Sequence, residues 1–236
     1  MRVITAEDFD ALCMMIKRRV PGFSVAYKED KALIIVIIAK ILFFNKGFMT
    51  GYITTLKSTV YWPSRAHVSA NWDAAFKVLA HEYVHIHDDR CRPILFPLVY
   101  LLPQILAAPS LVLAPVLVVF AVIWGWAWLI PLALLVAAAP FPAPGRAWAE
   151  RRGYAMTLAV TQWHSGSVSN ALTAHVISKF TGWDYYKMDP GIGGLKWWAI
   201  GVLESIVSGR IIAGVDEANQ PYREVHALMK ERGLLA

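Results

Sequence analysis

From Pro93 to Gly145 the chain carries no charged residue, 53 positions in succession. No other stretch limits the fold as much. A surface helix or strand needs a polar face towards water, so a run of this length must be buried in protein or placed in lipid. Hydrophobic residues make up 57% of the 236-residue chain. Soluble domains average roughly 45–50%, and the excess is concentrated here. Two spans can be drawn, about Ile94 to Leu113 and about Pro115 to Ala139. The second is long enough to cross a bilayer and carries Trp124, Trp126 and Trp128. The first holds Pro97, Pro103 and Pro109, and its expected break is Pro109-Ser110. A hairpin, a pair of re-entrant segments or a single crossing all fit the hydropathy. The competing reading is a buried helical pair inside a soluble protein.

The formal net charge is +6, which favours anionic partners. No basic cluster interleaved with aromatics occurs, so nucleic acid is not expected and a lipid bilayer is the expected sink for the charge. Cys13 and Cys91 make neither a disulfide framework nor a CxxC metal site, and a reducing compartment fits them. Residues 1–8 lack an apolar signal core.

Just before the uncharged run stands His81-Glu82-Tyr83-Val84-His85. On a helix, positions i and i+4 share a face, so both imidazoles can reach one metal ion. Glu82 projects beside them, where it can hold a water. This is the H-E-x-x-H zinc-peptidase pattern. Asn71 or Asp73 is expected to cap the helix, which should run to about Asp88. The bland alternative is an exposed polar stripe that happens to hold two histidines.

The remaining elements follow from local signals. Thr5 with Asp8 reads as a capping box for a helix over Ala6–Arg19. Phe23 to Tyr27 reads as a short strand. Lys31 to Phe44 reads as a buried helix, with a strand as the alternative. Gly51 to Trp62 is rich in β-formers and reads as a strand closed by Pro63 at a sheet edge. Arg146 to about Trp163, Ser169 to Phe180, Lys196 to Ser208 and Pro221 to Arg232 read as helices, and 183–194 as a loop. The organisation expected is an N-terminal half over 1–92, a hydrophobic membrane hairpin over 93–145 and a helical C-terminal half over 146–236.

Catalytic zinc keeps three protein ligands and an open position. His87, His164, His175, His226 or a carboxylate could supply the third. Glu150 is the strongest choice, as the first acidic residue on the first polar helix after the uncharged run. With His81, Glu82, His85 and Glu150 the chain resembles the gluzincin metallopeptidases. In topology it is similar to the HtpX and CAAX-prenyl-protease branch, which places membrane helices between the halves of its metal site. The resemblance covers about Asn71 to Trp163. That branch has E-x-x-x-D, whereas here the residue four after Glu150 is Tyr154, a possible second-shell donor or simply helix packing.

The resemblance implies an α+β, mainly helical fold with a zincin-like metallopeptidase core, a small sheet and the inserted hydrophobic membrane hairpin. It implies Zn2+ as cofactor and a peptide or protein substrate. It also implies that Thr59, Val60, Tyr61 and Trp62 form an edge strand that binds substrate by strand addition, against the alternative of an ordinary core strand. Glu82 is the expected general base. His164, His175, Tyr185, Tyr186 and Arg210 are candidate transition-state stabilisers. If His85 and Glu150 meet at one ion, both ends of the uncharged run lie on one side of the bilayer. Arg90 and Arg92 before the run, and Arg146, Arg151 and Arg152 after it, favour the cytoplasmic side. The alternative from another class is a membrane-embedded structural or scaffolding protein, of a phage or a membrane complex, with a structural or relic zinc site.

Overall fold

The computed structural model describes residues 2–41, 47–102, 107–138, 143–182, 187–189 and 194–236. The described chain is mainly helical with one small sheet. It divides into two compact units: 1–91 with 152–168 and 200–236, and 92–151 with 169–199.

The first unit begins with α1 (Ala6–Arg19), opened by the expected capping box of Thr5 and Asp8. Asp8 is fully buried. Burial alone would raise its carboxyl, but bonds from Thr5 and Arg232, with Arg2 nearby, outweigh this and hold it below the usual carboxylate range. The same contact ties the start of α1 to the end of α11 (Gln220–Glu231).

β1 (Ser24–Tyr27), β2 (Thr54–Leu56) and β3 (Thr59–Trp62) form a sheet in the order β1-β3-β2. β1 runs parallel to β3, and β2 antiparallel to it with Leu56 opposite Thr59. Two expectations are corrected here. The segment Gly51–Trp62 is not one strand. It is a hairpin turned at Lys57-Ser58, with Lys57 at φ 53, and it lacks the Asn-Gly signal that would have announced the turn. Thr59–Trp62 is also the central strand, paired on both sides, so its backbone cannot add a substrate strand; β2 is an edge.

α2 (Leu33–Ile41) is a helix as expected but is not buried. Only Ile35 is enclosed, while Leu33 is 76% exposed and Ile34 and Ile37 lie open as well. Hydropathy gave the helix; it carried no information on what covers it. Residues 42–44 of that segment lie outside the described residues.

After the short α3 (Arg65–Ser69) comes α4 (Trp72–Cys91), the long helix of this unit. Asn71 caps it, its Oδ1 accepting from the Ala74 amide at 3.0 Å. Phe76, Leu79, Ala80, Tyr83 and Val84 on α4 are wholly buried. They share the core with Phe9, Leu12 and Ile16 of α1 and Val225 and Met229 of α11. Phe9 sets its ring 6.0 Å from Trp62 in an edge-on contact, joining helix and sheet. The Tyr83 hydroxyl donates to Glu224 of α11.

Lys28 is buried without a carboxylate. Its Nζ donates to the carbonyls of Phe48 (2.6 Å) and Tyr52 (2.8 Å) and to Thr54 Oγ1 (2.8 Å), over the Phe48 ring. It fastens 48–54 and the start of β2 to the core.

The second unit contains α5 (Leu95–Leu101), α6 (Ala107–Trp124), a 3-10 segment (Trp126–Ala138) and the expected helix α8 (Asn170–Thr181), which Ser169 caps. α6 and the 3-10 segment fold back on each other at Gly125, whose φ of +107° excludes other residues. Phe120 then meets Trp128 at 5.0 Å, and Ser110 donates to the Pro131 carbonyl at 2.6 Å. The expected break at Pro109-Ser110 is therefore wrong. Those residues lie in the first turn of α6, where proline costs no hydrogen bond, and the turn falls at Gly125. Much of the hairpin surface is apolar and open; Val122 is 83% exposed and Trp126 is 82% exposed. Among the described residues no helix is long and apolar enough to cross a membrane.

Two helices belong to both units. α7 (Pro144–Ser165) passes without interruption from Arg151 to Arg152, and α9 (Leu195–Val207) from Ala199 to Ile200. The short α10 (Arg210–Ala213) precedes α11.

Burial pushes the Lys28 ammonium down to about 8 from an ordinary 10.5. Between these values the unfolded chain holds a proton that the folded chain has released, so folding gains stability as pH rises through the window. Denaturant unfolding should show the native protein gaining about 3 kcal/mol on Lys28→Met between pH 7.5 and 10.5. A constant difference between the two proteins would contradict this.

Candidate metal centre

α4 presents His81 and His85 on one face, as the four-residue spacing requires. Both are 8% exposed. Their Nε2 atoms face each other at 3.0 Å. Two nitrogens bound tetrahedrally to zinc at about 2.0–2.1 Å each would stand about 3.3 Å apart, so the pair is close to a chelating geometry. Glu150 on α7 is 3% exposed. One ligand atom from each of His81, His85 and Glu150 lies within 4.8 Å of the others. Three buried side chains with two imidazoles and one carboxylate could hold a metal ion. Among the described residues they are the one such group.

The turn of α7 after Glu150 explains how the approach is possible. A Cβ on Gly153 would lie 2.4 Å from His81 Nε2, so only glycine admits the imidazole. Tyr154 sets its ring edge-on to His81 at 4.8 Å, and Thr157 Oγ1 stands 3.4 Å from His81 Nδ1. Thus Tyr154 packs against the ligand ring, and Thr157 is the hydroxyl beside its outer nitrogen. A buried ion pair also ties α7 to α4. Arg152 grips Asp88 through Nε (2.7 Å) and a terminal nitrogen (3.0 Å), and also donates to the Ala218 carbonyl. Tyr222 of α11 donates to the Arg152 carbonyl at 2.6 Å.

Glu82 is half-buried beside the ligands. Its Oε2 accepts from the Thr55 hydroxyl at 2.7 Å, so the edge strand β2 fixes this carboxylate. Glu150 Oε1 accepts from the Tyr100 hydroxyl at 2.8 Å. Neither partner was foreseen. Thr55 lay inside a segment read as a single strand, and Tyr100 lay in the uncharged run, where hydropathy hides a lone hydroxyl.

The other candidates lie elsewhere. His164 is buried, with Nδ1 2.9 Å from the Leu234 carbonyl, and secures the C-terminus. His175 is exposed on α8. Arg210 is exposed, with Nε donating to Ser208 at 3.0 Å. None of the three is seen to hydrogen-bond to His81, His85 or Glu150 among the described residues. Tyr185 and Tyr186 lie outside the described residues. Of the other third-ligand candidates, His226 packs against Trp163 and His87 lies by Cys91 and the Glu217 carbonyl.

Replacing Gly153 with Ala should displace the His81 ring. Zn2+ competition titration should show affinity falling at least ~10-fold, with stability reduced by about 1–3 kcal/mol. Gly201→Ala, where a Cβ meets nothing within 4 Å, should bind Zn2+ as the native chain does. Equal affinity in all three proteins would contradict the close-approach role. Compared with family models, curated proteins and solved structures, the chain matches none.

Proposed function

We propose that the chain is a membrane-associated zinc metallopeptidase of the gluzincin type, with His81, His85 and Glu150 as ligands and Glu82 as general base. The observation that carries this is the buried convergence of the three ligands, drawn from segments 65 residues apart, with a half-exposed carboxylate next to the first of them.

A bound zinc ion would acidify a water towards a pKa of ~7 and polarise a carbonyl. The chain supplies the rest. The two imidazoles and the Glu150 carboxylate would hold the ion, and Gly153, Tyr154 and Thr157 fix the His81 ring. Glu82, one residue along the helix, takes the proton of the attacking water and later delivers it to the leaving amine. The Thr55 hydroxyl keeps Glu82 turned towards that task while leaving its other oxygen for the proton. A peptide substrate has an edge available in β2, the strand that carries Thr55, where unpaired backbone groups accept an added strand.

Membrane association rests on the apolar surface. The fold-back of α6 and the 3-10 segment at Gly125 supports a hairpin reading of the uncharged run. Its exposed valines, isoleucines and tryptophans fit acyl chains and the interface. Arg90, Arg92 and Arg146 flank the run as cytoplasmic anchors beside anionic lipid.

Glu82→Gln keeps the shape of the side chain and leaves the ligands alone. The variant in detergent should retain zinc at the native ratio and lose about 10²- to 10⁴-fold in hydrolysis of fluorescent casein. Undiminished cleavage would overturn the mechanism.

A further inference from the structure

We propose that Tyr100 is a positioning residue for the ligand Glu150, and that metal affinity therefore depends on a hydroxyl supplied by the uncharged run. This rests on the reading of His81, His85 and Glu150 as a metal site. The phenol donates to Glu150 Oε1 at 2.8 Å, a strong contact if the acceptor is ionised. A carboxylate on a long side chain has three torsions to lose on binding a metal. A fixed donor on one oxygen removes much of that freedom and presents the other oxygen for coordination.

The ring is itself held. The Arg146 guanidinium lies over it at 5.3 Å, and Phe96 stacks beside it at 5.8 Å. α5 in turn lies close against the start of α7: a Cβ on Gly145 would come within 2.3 Å of Val99. A small apolar cavity of about 150 Å³ opens beside Tyr100, lined by Leu95, Phe96, Val99 and Trp148. Tyr154, one turn after Glu150 on α7, packs on His81.

The test is titration of the full chain in detergent with Co2+ alone, read by its visible absorption, in a double-mutant cycle of Tyr100→Phe and Glu150→Gln. Tyr100→Phe should weaken Co2+ binding about 10- to 100-fold with the thermal midpoint of the metal-free protein unchanged. In the Glu150→Gln background it should cause no further loss, because it acts through Glu150. Equal losses in both backgrounds, or no loss in either, would overturn the proposal while leaving the metal site standing. Absence of Co2+ binding by the native chain would instead overturn the metal site itself. If Tyr100→Phe does not fold, Arg146→Met frees the ring from outside. Weaker binding dependent on Glu150 then supports the role, and unchanged affinity refutes it.

Discussion

The close approach of α7 to the His81 ring is the contact on which the site depends. It needs a residue without a Cβ at position 153, three residues after Glu150 on the same helix. The buried pair of Asp88 and Arg152 secures the same two helices further along α4. Such a pair contributes little net stability against an apolar replacement, yet removing one partner costs about 3–5 kcal/mol. Its effect is to fix the relation of α4 to α7, because both charges must stay matched once buried. The bonds of Arg152 to Ala218 and of Tyr222 to the Arg152 backbone extend the clamp to the C-terminal region.

A second feature is that each acidic group at the site has a hydroxyl donor. Thr55 serves Glu82 and Tyr100 serves Glu150. A hydroxyl donates one hydrogen bond without bringing a charge of its own, as a lysine or arginine would. Lys28, the one buried lysine among the described residues, sits among backbone carbonyls and braces the residues leading into β2. It acts on the site only through that strand.

Much of this was legible in the sequence because it depends on local rules. The i, i+4 spacing placed His81 and His85 on one face. Thr5 with Asp8, and Asn71, marked two helix starts: Asp8 Oδ2 accepts from the Thr5 amide and Asn71 Oδ1 from the Ala74 amide. Glu150 stood out as the first acid after a long uncharged run. What stayed hidden depends on long-range packing. Gly153 resembles any helix glycine until the His81 ring is placed against it. The turn at Lys57-Ser58 uses a left-handed lysine that composition does not announce. Thr59–Trp62 looked like an edge because Pro63 follows it, yet β1 and β2 pair with it from both sides. α2 looked buried because it is apolar, whereas burial is decided by what packs on a helix.

The central claim is that one metal ion joins two histidines and a glutamate with a position left for solvent. X-ray absorption at the zinc edge, with the metal content of the purified chain, tests it most directly. One zinc per chain is predicted, with two imidazole nitrogens and oxygen ligands at about 2.0–2.2 Å, and one imidazole fewer in His81→Ala. A chain that purifies without stoichiometric metal and binds none on addition, or a shell containing sulfur, would contradict it.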